Sequence, residues 1–412
     1  MRNRHPELLI PASSLEVLKT AVMFGADAVY IGGEAFGLRA KAKNFSMEDM
    51  KEGVQFAHEH GARVHVTVNI LAHNDDLEGA AEYLKELKEI GQDALIIADP
   101  AIFMLAKEIC PEIERHVSTQ ANNTNYGTFN FWWNLGAKRV VTARELSLKE
   151  IREIRAHIPA EMEIESFIHG AMCISYSGRC LLSNFFTGRD ANQGACTHPC
   201  RWKYSVVEET RPGEYMPVYE NERGTYIFNS KDLCMIEHIP EMIDAGIDSF
   251  KIEGRMKTAL YVATVARTYR KAIDDYLEDP KKYEANMPWY RDQISNCTYR
   301  QFTTGFYFGK PGDESQIYDS NTYIKEYTYL GIIGGIKDGM YRIEQRNKFS
   351  VGETVEIMKP DGQNVEVTVE KIIDEDGQEQ ESAPHPKQVL YVALSGEASV
   401  YDILRRQEGV TE

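Results

Sequence analysis

Four helical runs in this chain end in the same way. Phe24-Gly25-Ala26-Asp27-Ala28 precedes Val29, His60-Gly61-Ala62 precedes Arg63, Leu135-Gly136-Ala137 precedes Lys138, and Ala245-Gly246-Ile247-Asp248 precedes Ser249. A glycine just past a helix supplies the left-handed turn that re-aims the chain into a strand. Repetition of helix, glycine and strand marks βα units and a parallel sheet. Eight β-branched runs carry the pattern: Leu8–Ala12, Ala28–Gly33, Arg63–Ile70, Ala94–Pro100, Glu114–Gln120, Arg139–Glu145, Met162–His169 and Ser249–Glu253. Helical runs such as Ser14–Phe24 and Leu77–Ile90 lie between them. The expected fold is α/β: a (β/α)8 TIM-like barrel with a Cys-rich insertion, then a small C-terminal antiparallel β-barrel domain. A doubly wound open sheet is the alternative. Its dinucleotide-binding form is disfavoured, because no Gly-x-Gly-x-x-Gly follows the first strand.

The barrel is expected over residues 1–280, with the insertion at about 170–226. An aromatic-rich connector is expected over 281–320 and the C-terminal domain, with an acidic tail, over 321–412. An insertion of that length is more often functional than a plain connector. From Tyr323 to Asp374 the period is two, in the runs Tyr329–Ile336, Met340–Glu344, Thr354–Met358 and Val365–Ile373, and Asp361-Gly362 is a hairpin turn. Asp374–Lys387 is acidic and polar and reads as a loop or flexible insertion.

Of 412 residues, 43% are hydrophobic and 26% charged, so collagen-like, low-complexity and wholly disordered classes are excluded. The net charge of −17 argues, as a total, against a nucleic-acid partner. It is unevenly spread. Residues 313–412 hold 10 basic and 20 acidic residues, whereas Ser249–Lys271 holds six basic residues and one acid, Glu253. That run is either a solvated helix face or a local basic field. The only apolar run near the N-terminus is Leu8–Ile10, too short for a signal peptide, and no run approaches the roughly 18 apolar residues of a membrane span. A cytoplasmic protein is expected, in which clustered cysteines mean metal or redox chemistry.

Such a cluster exists. Cys173, Cys180, Cys196 and Cys200 fall within 28 residues. Four thiolates can hold tetrahedral zinc or an iron–sulfur cluster. Zinc ribbons pair two tight knuckles, and here only Cys196-x3-Cys200 is tight, so spacing favours iron–sulfur. Cys234 is an alternative ligand, more simply read as a small core residue. Cys110 and Cys297 stand alone.

The run from Glu165-Ser-Phe-Ile-His169-Gly170 through Cys173 and Cys180 to Ser183 resembles the signature of the collagenase-like U-32 peptidase family. Arg189 to Tyr204, Asn229 to Leu233 and Lys251-Ile-Glu253-Gly-Arg255 extend the resemblance over roughly residues 7–330. It is nearest to the branch of prephenate-dependent tRNA uridine 5-hydroxylases. The resemblance implies a [4Fe–4S] cluster on Cys173, Cys180, Cys196 and Cys200, prephenate as co-substrate, and the wobble uridine of a tRNA anticodon loop as substrate. Hydroxylation of another substrate, ribosomal RNA or a quinone precursor, is the alternative on the same barrel and cluster, and a partner chain or homo-oligomer is compatible with the resemblance.

The peptidase label has little support in the residues. There is no Gly-x-Ser-x-Gly elbow and no His-Glu-x-x-His, and His58-Glu59-His60 puts its histidines on different sides of a helix. Hydroxylation of a pyrimidine is redox chemistry that a cofactor must carry. In a barrel the working residues sit at the C-terminal strand ends. Those ends are Glu34, Asn69, Asp99, Gln120, Arg144, Glu145, His169, Lys251, Glu253 and Arg255, of which half are expected to be plain rim hydrogen bonds. The catalytic candidates are His169, Glu165, Arg179 and Glu253. The anion- and substrate-binding candidates are Arg144, Lys251, Arg255, Lys257 and Gln120, since arginine holds a carboxylate or phosphate through two parallel hydrogen bonds. Asn122–Asn125 is a rim loop able to contact a polar ligand. Tyr176, Phe185, Phe186, Trp202 and Tyr204 surround the cysteines, where stacking on a splayed base competes with packing around a cluster; packing is the simpler expectation.

Overall fold

The computed structural model describes residues 5–37, 44–173, 175–177, 179–202, 205–206, 216–217, 229–297, 299–311, 316–317 and 326–408. The chain divides into two compact units. One comprises Met1–Lys19, Asp27–Met256 and Arg300–Thr322; the other comprises Thr20–Ala26, Lys257–Tyr299 and Tyr323–Glu412.

The first unit is built on β1 (Glu7–Pro11), β2 (Ala28–Gly32), β3 (Arg63–Val68), β4 (Ala94–Ile97), β5 (Glu114–Val117), β6 (Arg139–Val141), β7 (Glu163–Gly170) and, after a short β8 (Asp232–Cys234), β9 (Ser249–Ile252). Strands β1 to β7 pair in sequence order, all parallel, and β9 pairs with both β7 and β1. The sheet is a closed eight-stranded parallel barrel, and its staves are the eight runs expected from sequence. Helices α2 (Met47–Glu59), α3 (Asn74–Lys88), α4 (Pro100–Ile109), α5 (Tyr126–Leu135) and α6 (Leu148–Ala156) connect them. Each buries an apolar stripe, such as Met50, Val54 and Ala57 on α2 or Leu148, Ile151 and Ile154 on α6. The helix starts are written in the sequence. Ser46, Asp99 and Asn125 accept backbone N–H groups as N-caps, and Ser147 with Glu150 forms a capping box. The four helix-ending glycines all have positive φ, from +77° to +102°.

β7 outlasts its neighbour β6. Its last residues pair antiparallel with β8, placing Cys234 opposite His169, and β8 pairs with β10 (Phe302–Thr303). This lip is tied by the buried pair Arg300–Asp232, with Arg300 Nη2 2.8 Å from Asp232 Oδ1.

In the second unit, α9 (Ala259–Glu278), α10 (Pro280–Ala285) and α11 (Met287–Ser295) accompany β11 (Tyr327–Lys337), β12 (Met340–Glu344), β13 (Thr354–Met358), β14 (Asn364–Asp374), β15 (Val389–Leu394) and β16 (Ile403–Gln407). The six strands pair antiparallel in the cyclic order β13-β16-β11-β12-β15-β14 and back to β13, a closed small barrel as expected. β11 and β14 are long and pass round the corners through register shifts at Tyr329/Gly331, Ile333/Gly335 and Val369/Lys371. Two staves were not among the period-two runs. Val389–Leu394 is nearly all apolar, and β16 interrupts its apolar residues with Arg405 and Arg406. The acidic Asp374–Lys387 stretch begins as a tight hairpin rather than a flexible insertion. Asp374 Oδ1 accepts from the backbone N–H groups of Asp376 and Gln378, and Glu379–Gln380 pairs back onto β14. The 281–320 stretch contains most of α10, all of α11, and β10.

Candidate functional site

Parallel strands sandwiched between layers usually read as continuous apolar runs. Here they alternate: Arg63-Val-His65-Val-Thr67, Glu114-Arg-His116-Val, Glu163-Ile-Glu165-Ser-Phe167 and Ser249-Phe-Lys251-Ile. Register keeps the alternating sets on one face, with His65 beside Tyr30 and Ala94, His116 beside Arg139, and Lys251 beside Phe167 and Leu9. The aliphatic set faces the helices and the polar set fills the barrel.

At the base, Arg139 reaches three carboxylates: Glu7, Glu163 at 2.8 Å and Glu165 at 3.1 Å. Arg63 holds Glu114 at 2.8 Å. Burial alone would raise the Glu7 pKa, but Arg139 outweighs it and holds the carboxyl well below the usual range. Above this layer His65 and His116 meet edge to face, ring centroids 4.8 Å apart, both fully buried. Burial pushes both imidazoles well below their ordinary pKa, so they are neutral. Among the described residues neither ring nitrogen of His65 has a hydrogen-bond partner.

Next comes the ion pair Lys251 Nζ–Glu165 Oε1 at 2.6 Å, with the ammonium 4.4 Å from the Tyr30 ring centre. Burial lowers the Lys251 pKa despite this partner. At the mouth, Arg144 lies 4.0 Å over the Phe167 ring, donates to Glu253 Oε2 at 3.1 Å, and sits 3.8 Å from Cys173 Sγ. Its Nε is buried without a partner among the described residues. Arg255 donates to Thr67 Oγ1 at 2.8 Å.

The structure therefore brings Arg144, Glu253 and Cys173 together at the rim, and Glu165 and Lys251 together inside the barrel. Lys251 had been read as a rim residue; its ammonium points inward instead. His169 is buried on β7 beside Phe302, and its carbonyl accepts the Glu253 N–H at 2.8 Å. Gln120 is nearly buried in the turn after β5, and Arg179 is exposed. Lys257 belongs to the second unit, where it lies over Tyr261. The basic run Ser249–Lys271 makes no open basic surface. Lys251, Arg255 and Arg267 are buried, while Arg270 and Lys271 pair with Asp274 and Asp275. Asp99 is a helix cap, and two residues of the expected rim loop 122–125 have structural roles. Asn123 is fully buried, bonding Ser118, Val141 and Trp132, and Asn125 caps α5. Sequence reasoning missed Thr67, Tyr30 and Phe167, for which the strand alternation was a signal. It also missed Tyr307, whose hydroxyl donates to the Phe167 carbonyl and which had no signal in the linear sequence.

The cysteine segment leaves β7 at Gly170, whose φ of +108° and 2.5 Å approach of a would-be Cβ to the Glu253 carbonyl exclude any side chain. It crosses to the loop after β3. Gln193 donates to the Leu71 carbonyl at 2.6 Å, and Asn192 accepts from the Leu71 N–H. With Cys173 beside Arg144 after β6, the segment spans opposite sides of the mouth. In chemistry the four cysteines suit an iron–sulfur cluster. None is in a disulfide, all are half-buried or exposed, and Cys196 Sγ accepts the His198 N–H at 3.4 Å. In position they are not gathered: among the described residues no three of His, Cys, Asp and Glu converge as a metal site. Tyr204 lies outside the described residues.

A parallel (β/α)8 barrel with a polar interior and a cysteine-bearing segment across its C-terminal mouth defines the class. The family model of peptidase family U32 matches residues 13–317, and that of the U32 C-terminal domain matches residues 325–405. The chain belongs to peptidase family U32. It is 43% identical over 405 residues to "tRNA hydroxylation protein P1" of Bacillus subtilis, covering 98% of this chain and 95% of the relative. It is 39% identical to "tRNA hydroxylation protein P" of Escherichia coli, covering 92% and 91%. A 23S rRNA 5-hydroxycytidine synthase of Escherichia coli is 41% identical over 273 residues, 66% of this chain and 40% of the relative.

Proposed function

We propose that this chain is an RNA-hydroxylating enzyme that installs oxygen at C5 of the wobble uridine in tRNA anticodon loops. The observation that carries the reading is the cysteine segment laid across the barrel mouth, with Cys173 against Arg144 and Glu253, in a chain alike over nearly its whole length to proteins named for tRNA hydroxylation. Cys173, Cys180, Cys196 and Cys200 would hold a [4Fe–4S] cluster, and Cys234 is the alternative ligand. When bound, the cluster supplies one-electron chemistry that no side chain offers. Arg144 is the main anion ligand of the mouth. Its buried, unpartnered Nε supports a role in receiving a carboxylate of the proposed co-substrate, prephenate, with Arg255 as the second cation. Glu253 orients Arg144, and Lys251–Glu165 beneath it sets the field of the pocket floor. His169 and Arg179 are the remaining acid–base candidates on the segment's approach. The reading implies a cytoplasmic enzyme, and among the described residues no helix is long and apolar enough to cross a membrane.

Two measurements test this. Anaerobically purified protein should contain about four iron and four sulfide per chain, as expected for one such cluster, with the visible absorption of a cluster. Deleting the gene should remove 5-hydroxyuridine-derived nucleosides from tRNA, and Arg144→Ala should fail to restore them. Zinc without sulfide, or unchanged tRNA nucleosides, overturns the proposal. Ribosomal RNA is the second reading, favoured by the likeness to the rRNA hydroxycytidine synthase. Loss of an rRNA nucleoside instead of a tRNA one would select it. A cysteine-peptidase reading is disfavoured by geometry: the described neighbour of Cys173 is a guanidinium, where a thiol nucleophile needs an imidazole.

A further inference from the structure

The aromatic residues of the cysteine segment lie open to solvent. Phe185 is 83% exposed, Leu181 67%, Tyr176 47%, Trp202 46% and Phe186 44%. Phe185 and Phe186 stand on the short helix α7 (Leu182–Thr187) with rings edge to face at 5.2 Å, and the Phe186 ring is 6.3 Å from that of Trp202. The platform is held from below rather than loose. Ser183 is buried, its hydroxyl accepts the Thr197 N–H at 3.0 Å, and Gln193 ties the segment to Leu71.

The charge around this patch is also unusual. Residues 173–202 contain three arginines and one acid in a chain of net charge −17. Arg179 and Arg189 are exposed, and the one carboxylate, Asp190, is half-buried and accepts the Asn192 N–H at 2.7 Å. Exposed rings interleaved with arginines, with one carboxylate engaged in a local cap, suit one occupant best. Every base has a π-face to lay on an aromatic ring, and the phosphates between bases need cations. The apolar core of a permanent protein interface, by contrast, is depleted of charge.

We propose that Tyr176, Phe185, Phe186 and Trp202, with Arg179 and Arg189, form a stacking platform for unpaired RNA bases at the barrel mouth. It would hold the nucleotides flanking the one that enters the barrel. This rests on the RNA reading above and names the surface that reading requires. A base must be unstacked before its C5 can reach the groups at the barrel mouth, and new stacking partners offset that cost.

The test uses anaerobically purified holoprotein and two fluorescein-labelled RNAs: a stem–loop with an unpaired uridine-containing loop, and a fully paired duplex. Phe185→Ala should weaken stem–loop binding by about five-fold or more, and Phe185→Ala with Trp202→Ala by about thirty-fold or more, from the cost of losing one and two stacked bases. Duplex binding should not change. Phe185→Trp should retain affinity, and Arg189→Ala should lower the salt slope by about 0.7. Iron content and melting temperature should match wild type in each variant. Unchanged stem–loop affinity in the double variant, while wild type binds and hydroxylates RNA, overturns the platform and leaves the enzyme reading intact. A variant that loses self-association but keeps RNA affinity also overturns it, assigning the patch to a second copy of the chain. Wild type that binds neither RNA overturns both.

Discussion

The parallel barrel encloses Glu7, Arg139, Glu165, Lys251, His65 and His116, whereas the core of the antiparallel barrel is Leu330, Ile333, Ile343, Val355, Ile357, Val367, Val369, Leu390, Val392 and Leu404. Both are closed sheets, and each carries an in–out alternation along most of its strands. They differ in which half of the alternation is polar. In the antiparallel barrel the polar residues face outward, and burial of Ile, Val and Leu stabilises the fold directly. In the parallel barrel the helices take the aliphatic half and the charges go inside. An ionic interior stabilises no more than an apolar one of equal volume and is costly when one member is lost. What it adds is a set of oriented charges continuing up to Arg144 and Glu253 at the mouth. One barrel is organised for stability and the other for a site.

The comparison can be broken most sharply at Arg139. Arg139→Met should take the main cationic partner from the Glu7 carboxylate and one of the partners of Glu163 and Glu165, and cost the parallel barrel about 3–5 kcal/mol. Hydrogen exchange read by mass spectrometry should show lost protection in peptides from 5–170, with those from 326–408 unaffected. Protection unchanged in both would show that the arginine is dispensable. In the other barrel, Ile357→Ala removes only apolar contacts. The expected loss is about 2–4 kcal/mol, confined to 326–408 and equal at pH 5 and pH 8. A loss that varies with pH would mean that the apolar core is coupled to a titrating group.

Acid should separate the barrels without mutation. His65 and His116 face Glu7, Arg63, Arg139, Glu114 and Lys251, and burial holds both pKa values below the ordinary 6.5. Below pH 6.5 the unfolded chain binds protons that the folded barrel refuses, so stability is full above pH 6.5 and falls as pH falls. The slope is at most about 1.4 kcal/mol per pH unit for each histidine. Glu7, whose folded pKa is depressed, adds a further loss below its ordinary 4.5. His65→Leu with His116→Phe should flatten the upper part of this profile. A parallel barrel as stable at pH 5 as at pH 7.5 would show that the imidazoles are not held neutral. The smallest effect belongs to the hairpin salt bridge Lys371–Glu379, whose partners are 44% and 70% exposed. Lys371→Ala should change stability by about 0.5 kcal/mol or less and vanish in high salt.

Much of the fold was legible because its signals are local. Glycines at positive φ ended helices where the sequence put them, and the capping residues Ser46, Asp99, Asn125 and Ser147 began them. The strands that escaped notice, β15 and β16, lack a clean period. Arg405 is fully buried yet lies on the outer face of its barrel, bonded to Glu356 at 2.6 Å. The four cysteines stood out by spacing alone. The placement of Lys251 did not, because a strand's end in sequence does not say which way its side chain faces. Nor did the exposure of Phe185, since aromatic residues near cysteines read equally well as packing.

The sequence by itself determined the order of the helices and of most strands, and the candidate cluster ligands. Those depend on residue identity at fixed spacing along the chain. Only the tertiary structure decided that the charged half of the alternation turns inward, that Arg144 and Cys173 meet across the mouth, and that the aromatic rings face solvent. Which face of a strand is buried depends on neighbours brought from far away in the chain: Glu165 finds Lys251 from 86 residues on, and Arg139 finds Glu7 from 132 residues back. Periodicity marks two faces, and long-range register chooses between them.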